Sequence, residues 1–298
     1  MFKYLRRIFK RKRVRNVKLA NGMGDALNAR SFLINYCEKL KINQDSITVF
    51  TDRHKIFFEG DNFVIRDLKD CHGKYNFFFN IGHIQIPKLY HERMFDIGIS
   101  KNTGVEFSAR RKDNLNWAIP NISHIPLPKK FVTVNYGFDN LSDPNKEICA
   151  KVWPLEYWEN LVKNIGIDCV QIGAGRNCKH IKGVKLDLVD KLTIKETAEV
   201  MKKAVFHIDT EGGLVILNHH LGGKSVVLFG PTPINIFGKE GNLNITKNSC
   251  PISPCEGNPK ANHGIYMKKD DIKCDLKCMK ELTPDYVIQQ IYKNGWLS

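Results

Sequence analysis

Along this chain, apolar runs of strand length pass through short turns into helical periodicity, and that alternation constrains the fold more than any other feature. Residues 16–20 (NVKLA) read as a strand, Asn21-Gly22-Met23-Gly24 as a tight turn, and residues 25–40 as a helix. In that helix Leu27, Phe32, Leu33, Tyr36, Cys37 and Leu40 recur at helical spacing. Residues 47–51, 63–65 and 76–81 read as three more strands, the last apolar enough to be buried on both faces. Residues 82–117 show no clear periodicity, and 118–130, with three prolines, reads as a linker. After it the rhythm restarts, with strands at 131–135, 169–172, 205–208 and 225–229 and helices at 155–165, 194–204 and 214–221. The prediction is an α/β chain of two Rossmann-like domains, 16–125 and 126–298, with ligands at the carboxyl ends of the strands.

A chain of 298 residues, 42% hydrophobic and 26% charged, suits two domains of ordinary size with proper cores. No run approaches the roughly 20 apolar residues that cross a bilayer, and the basic opening lacks the apolar core of a secretory signal. A cytoplasmic location is expected. The net charge of +15 is uneven, because residues 1–15 hold eight basic side chains and no acidic one. Leu5, Ile8 and Phe9 would share one helical face among these charges, as in a segment lying on an anionic membrane surface. A solvated arm and a nucleic-acid arm are the alternatives; the membrane reading is carried forward and no nucleic-acid partner is expected. Among the nine cysteines, Cys37, Cys71, Cys149, Cys169 and Cys178 are scattered, mostly in apolar surroundings, and read as buried thiols.

Three segments carry chemistry. Gly22-Met23-Gly24-Asp25 leads from a strand to a helix, where backbone can approach a ligand closely. The third glycine of a dinucleotide turn is missing, since Leu27 stands there. Asp25 is either a capping residue stabilised by the helix dipole or a general base. Lys151-Val152-Trp153-Pro154 opens a helix, and its ammonium can reach a phosphate. In His207-Ile208-Asp209-Thr210-Glu211-Gly212-Gly213, a strand gives way to two acids and two glycines before the next helix. Free N–H groups at Gly212 and Gly213 can cradle a diphosphate, while Asp209 or Glu211 can accept hydrogen bonds from sugar hydroxyls. Leu228-Phe229-Gly230-Pro231-Thr232-Pro233 closes the next strand with another glycine-proline turn.

Together these segments resemble glycosyltransferase family 9, the heptosyltransferase-like enzymes of bacterial lipopolysaccharide assembly. The resemblance rests on Gly24-Asp25, on Lys151, Trp153 and Pro154, on residues 209–213, and on Leu228-Phe229-Gly230-Pro231-Thr232. It implies a GT-B fold, two Rossmann-like domains facing each other across a cleft. It also implies inverting, metal-independent transfer of a sugar from a nucleotide diphosphate, usually ADP-heptose, to a glycan or glycolipid acceptor. Asp25 matches the base, with Gly22 and Gly24 in the acceptor-side turn. Lys151 matches a phosphate-binding lysine, and Asp209, Thr210, Glu211, Gly212, Gly213 and Thr232 fall on the donor side. The family pattern of Asp-Ser/Thr-Gly followed by histidine is altered, because Glu211 interrupts it. Counting back from Leu228 puts Glu211 in the aspartate position and Ile216 in the histidine position. Such an enzyme would work on the inner face of the bacterial inner membrane.

Cys250, Cys255, Cys274 and Cys278 form two short pairs at a separation seen in structural zinc sites, with free thiols and disulfides as the other readings. The resemblance adds iron, which related autotransporter heptosyltransferases hold through cysteines. The leading function is thus an inverting glycosyltransferase with no catalytic cofactor and a structural zinc or iron. The alternatives are another GT-B-type enzyme, such as a nucleotide-sugar epimerase, or a non-catalytic lipid- or nucleic-acid-binding protein.

Overall fold

The computed structural model describes residues 14–19, 22–71, 77–79, 103–105, 111–137, 147–175, 177–247, 249–255, 261, 266–268 and 274–297. The basic arm up to residue 13, the side chains of the strand read at 76–81 and most of 82–117 lie outside them. The chain divides into two compact units, Met1–Asn116 and Trp117–Ser298.

In the first unit β1 (Asn16–Leu19) leads into α1 (Met23–Leu40), followed by β2 (Thr48–Phe50), β3 (Val64–Arg66) and β4 (Phe77–Phe79). All pairings are parallel, in the order β3-β2-β1-β4. Chain direction along the sheet therefore reverses between β1 and β4, and the carboxyl end of β1 delivers the chain to Gly22 and α1. The helix starts earlier than its apolar spacing suggests. Gly22 is its N-cap, with φ −69°, so Gly24 and Asp25 lie in the first helical turn rather than before it. Leu27, Phe32, Leu33 and Tyr36 are buried as their spacing predicts.

Sequence reasoning gave no notice of Arg30, which is 1% exposed on the same helix. Its guanidinium donates from Nε to Asp61 Oδ2 at 2.6 Å and from Nη2 to Oδ1 at 2.9 Å, and also reaches the carbonyls of Asp113 and Asn114. A planar fork that meets a carboxylate twice leaves neither charge uncompensated in the interior.

The second unit holds β5 (Phe131–Val134), β6 (Glu147–Cys149), α2 (Leu155–Asn164), β7 (Asp168–Gln171), β8 (Leu186–Asp187), α3 (Ile194–Lys203), β9 (His207–Thr210), α4 (Gly213–His220), β10 (Ser225–Leu228), α5 (Ile234–Phe237), β11 (Leu243–Ile245), β12 (Tyr266–Lys268), α6 (Lys277–Lys280) and α7 (Pro284–Lys293). Six strands form one parallel sheet, ordered β11-β10-β9-β5-β7-β8. Counted in chain order within this sheet, that is the 3-2-1-4-5-6 arrangement of a Rossmann fold, with the reversal between β5 and β9. A separate antiparallel pair, β6 with β12, lies outside the sequence prediction. So do β8, β11, α5, α6 and α7.

Local signals account for the helix starts. Thr193 caps α3 by accepting from the Glu196 amide, and the Glu196 side chain returns to the Thr193 amide, a complete capping box. Thr283-Pro284 opens α7 with a side-chain cap and proline in the first turn. Pro154 is the residue before α2, as the helix predicted from 155 requires. Trp153, next to it, is 1% exposed; its indole Nε1 donates to Leu282 O at 2.7 Å and its ring meets Trp158 edge-on. α2 and the α7 segment close over one sheet face, where Val132, Val134, Ile208, Val226 and Leu228 join a single apolar cluster. The other face is mixed. Strand alternation puts Thr133, Asn135, His207, Asp209, Ser225 and Val227 there, all of them buried.

Replacing Arg30 with alanine would strand the buried Asp61 carboxylate. The expected cost is about 3–5 kcal/mol, the range for breaking a buried pair from one side. Urea unfolding of the variant should read it, and a loss under about 1 kcal/mol would contradict the pairing's role.

Candidate functional site

At a reversal point two neighbouring parallel strands send their chains to opposite sides, and a crevice opens between their carboxyl ends. In the second unit those ends are Asn135-Tyr136-Gly137 after β5 and Thr210-Glu211-Gly212 after β9. The last rung is backbone: the Asn135 amide donates to Ile208 O at 3.3 Å. Beyond it lies a shallow hollow lined by Asn135, Tyr136, Gly137, Lys151, Trp153 and Thr210, among others.

Lys151 is set in place from both sides in the chain. Before it, Cys149 and Ala150 are fully buried, with the Val152 amide turning back to Cys149 O at 3.1 Å. After it stands the anchored Trp153. So fixed, Lys151 pairs with Glu211, the two side chains being 16% and 9% exposed. Glu211 follows directly on β9, and Gly212 then caps α4 with no side-chain hydrogen bond of its own. The first amides of α4 thus have no side-chain cap, and the dipole's positive end faces the loop that holds Glu211. Fully extended backbone at Gly212 (φ −174°, ψ −173°) makes no demand for glycine, and a Cβ there would meet its nearest atom at 3.7 Å. The missing side chain leaves room at the helix end.

Asp209 behaves differently from its neighbour two residues on. It belongs to the strand, not to the loop where its sequence position suggested, and is 3% exposed. Oδ1 accepts from the Thr210 amide at 2.7 Å; Oδ2 accepts from Asn135 Nδ2 at 3.0 Å and lies 3.4 Å from His207 Nε2. Burial raises its pKa from the usual carboxylate value, against the opposing pull of His207, Asn135 and the Thr210 amide. Of the two acids, Glu211, which the spacing to Leu228 favours, stands beside Lys151, and Asp209 is consumed inside the sheet. Sequence reasoning missed Asn135, and the one signal for it was a polar residue ending an otherwise apolar strand.

Thr232 is 2% exposed, and its hydroxyl has no hydrogen-bond partner among the described residues. Its loop is pinned from behind: Ser253 Oγ donates to Gly230 O at 2.8 Å, and a Cβ on Gly230 would stand 2.3 Å from Met279 Sδ and 3.1 Å from Cys278 Sγ. Glycine is therefore required there by close approach. In the first unit, Gly22 ends at open space, with nothing within 4 Å of where a Cβ would sit. Asp25 follows in the uncapped first turn of α1, half-buried.

The four C-terminal cysteines are neighbours. Burial pushes the Cys278 thiol up to about 12, and Cys255, Cys274 and Cys250 push it the same way. The Leu276 amide donates to Cys274 Sγ at 3.3 Å from a left-handed turn (Leu276 φ 58°). Among the described residues no three His, Cys, Asp or Glu side chains come together in ligating geometry. Cysteine sulfur is the ligand type that zinc and iron take in proteins. Of the scattered cysteines, Cys37, Cys71, Cys149 and Cys169 are buried and Cys178 is half-buried. His219 and His220 are both buried in α4. No helix among the described residues is long and apolar enough to cross a membrane.

No family model matches the chain, and no curated protein matches it in sequence. Solved structures do match in fold. The iron-containing dodecameric heptosyltransferase TibC of enterotoxigenic E. coli, in complex with ADP-D-β-D-heptose, is 15% identical with a TM-score of 0.67, over 94% of this chain and 76% of that one. A family 9 glycosyltransferase from Veillonella parvula is 12% identical with a TM-score of 0.62, over 93% and 96%. The E. coli heptosyltransferase WaaC with ADP-2-deoxy-2-fluoro heptose is 15% identical with a TM-score of 0.53, over 94% and 99%. At such identities the likeness is one of fold: the chain has the mixed α/β, parallel-sheet fold of these heptosyltransferase structures.

Raising the folded pKa of an acid means that the folded state holds its proton more tightly than the unfolded chain. Stability then falls as pH rises from the unfolded carboxyl's value, about 3.9, toward the folded one. For Asp209 the difference in Tm between the protein and its Asp209→Asn variant should therefore decline over that window and level off above it. A difference independent of pH would show that burial does not shift this carboxyl.

Proposed function

We propose that this protein is a glycosyltransferase that binds a nucleotide-diphosphate sugar at the reversal point of its second sheet. The single observation that carries the reading is the convergence of Lys151, Glu211 and the uncapped start of α4 on the carboxyl ends of β5 and β9. A lysine and a helix N-terminus offer positive charge to a diphosphate, and a carboxylate two residues before the helix offers acceptors to sugar or ribose hydroxyls. Thr210, Gly212, Gly213 and Thr232 complete the donor side. The fold shared with heptosyltransferases, two of them solved with ADP-linked heptoses, supports an ADP-heptose or similar donor.

In this reading the transfer inverts the anomeric centre in one displacement. Asp25 takes the proton of the acceptor hydroxyl as its oxygen bonds to the anomeric carbon, and the bond from that carbon to the diphosphate oxygen breaks. The departing diphosphate keeps the electron pair, and Lys151 with the α4 amides stabilises the charge that develops there. No metal takes part in the step. The open space at Gly22 would leave room for a glycan or glycolipid acceptor of the cell surface. The basic arm would hold the enzyme on the anionic inner face of the bacterial inner membrane. Cys250, Cys255, Cys274 and Cys278 would hold zinc or iron, which when bound ties the segment behind Gly230 together.

Thermal shift against ADP-, GDP-, UDP- and CMP-sugars should single out one nucleotide, ADP being expected. Lys151→Ala should weaken its binding by about 10- to 100-fold, the range for a lost charged hydrogen bond. Asp25→Ala should abolish transfer while leaving donor affinity within about twofold. Near-normal turnover in that variant would refute Asp25 as the base. Metal analysis of the purified protein tests the cysteines separately, and less than about a tenth of an equivalent of zinc or iron would end that assignment.

A further inference from the structure

Where β5 meets β9, register sets Thr133 beside His207, and one step past the last ladder pair, Val134 with Ile208, Asn135 hydrogen-bonds Asp209 on the same face. All four side chains are at least nine-tenths buried. Thr133 Oγ1 and His207 Nδ1 are 3.0 Å apart, His207 Nε2 lies 3.4 Å from Asp209 Oδ2, and Asp209 holds both Asn135 Nδ2 and the Thr210 amide. The backbone ladder ends at the Asn135 amide, so past that rung the Asp209 carboxylate is what ties the two diverging strand ends together. Its two oxygens reach one lining residue of the hollow on each side, Asn135 and Thr210.

We propose that Asp209 is a positioning residue of the nucleotide site, acting through Asn135 and Thr210 without touching the ligand; this rests on the nucleotide reading above. A carboxylate can only accept, so it fixes which end of the Asn135 amide faces inward. The NH2 turns to Asp209, and Oδ1 turns to the loop after β7, where a Cβ on Gly173 would stand 2.5 Å from it and Cys178 Sγ lies at 3.9 Å. Asparagine in place of Asp209 has one acceptor oxygen for these two donors, so its NH2 must face either Asn135 Nδ2 or the Thr210 amide. Either outcome disturbs the hollow's floor while keeping volume and burial nearly unchanged.

The test is a double-mutant cycle on nucleotide binding by calorimetry, with ADP, GDP, UDP and CMP as probes on the full chain. Asp209→Asn and Asn135→Ala should each weaken the best nucleotide at least tenfold, and the double variant should lose no more than Asn135→Ala does. Asn135→Ala also stands by itself should the Asp209 variant not fold. Thr133→Val, one rung further from the strand ends, should lower Tm and leave Kd within twofold. Side-chain amide protons of Asn135, slow to exchange in the parent protein, should exchange fast in the Asp209→Asn variant. An unchanged Kd in Asp209→Asn, additive losses in the double variant, or an equal loss in Thr133→Val would each overturn the positioning role alone. Failure of the parent protein to bind any of the four nucleotides would instead sink the nucleotide reading, and this proposal with it.

Discussion

Parallel strands hydrogen-bond along their whole length only while they run side by side, and β5 and β9 stop doing so at Asn135 and Ile208. The second unit is organised around that parting. On one side of it the chain runs on into Tyr136 and Gly137; on the other it rises through Glu211 to the start of α4. Backbone groups freed by the divergence need partners, and the crevice gathers them at the open end of the sheet. The same strand order in a folded chain of different loops would still place a crevice there. Loop chemistry decides what the crevice can hold.

Here the loops supply a lysine, a glutamate and a helix start, and the chain holds Lys151 rigidly before any ligand arrives. Trp153 is the anchor: its indole is buried, hydrogen-bonded and wedged against Trp158. A lysine on a flexible loop would lose rotamer entropy on meeting a phosphate, whereas this one has already lost most of it. Glu211 keeps that ammonium neutralised in the meantime. Glu211 and a diphosphate would compete for the same cation, and a group with two negative charges has the advantage.

Much of this was legible in the residues. Alternation of apolar runs gave the first sheet's four strands and four of the second sheet's six to within a residue or two, because buried parallel strands and amphipathic helices differ so plainly in period. The motifs also singled out Lys151 and the 209–213 loop, and the fold pairs Lys151 with Glu211 of that loop. What escaped the sequence has physical causes. Arg30 lies in a helix whose apolar spacing gave no reason to expect a buried cation, and only the fold shows Asp61 opposite it. The β6–β12 pair joins segments more than a hundred residues apart, with three residues in each strand and too little pattern to read. The end of β9 was placed too early, since acidic residues argue for a loop. Asp209 belongs to the strand because Asn135, His207 and the Thr210 amide make its burial tolerable.

That misplaced strand end separates two ways of using a carboxylate. Glu211, which follows the strand, can exchange its charged partner, the partly exposed Lys151, for another. Asp209 cannot, because each of its partners is itself buried and would be left unsatisfied. A sheet face of valine and isoleucine would be at least as stable as Thr133, Asn135, His207 and Asp209 in a row, judging by what hydrophobic replacement of buried polar groups does elsewhere. What apolar residues could not do is define direction. Hydrogen bonds across β5 and β9 fix the separation of the strand ends and the orientation of one amide, where a methyl contact would tolerate sliding. The opposite face, apolar at Val132, Val134, Ile208, Val226 and Leu228, supplies the cohesion that lets this face be polar. The two faces of one sheet thus divide the work, one holding the unit together and the other setting the geometry of its open end.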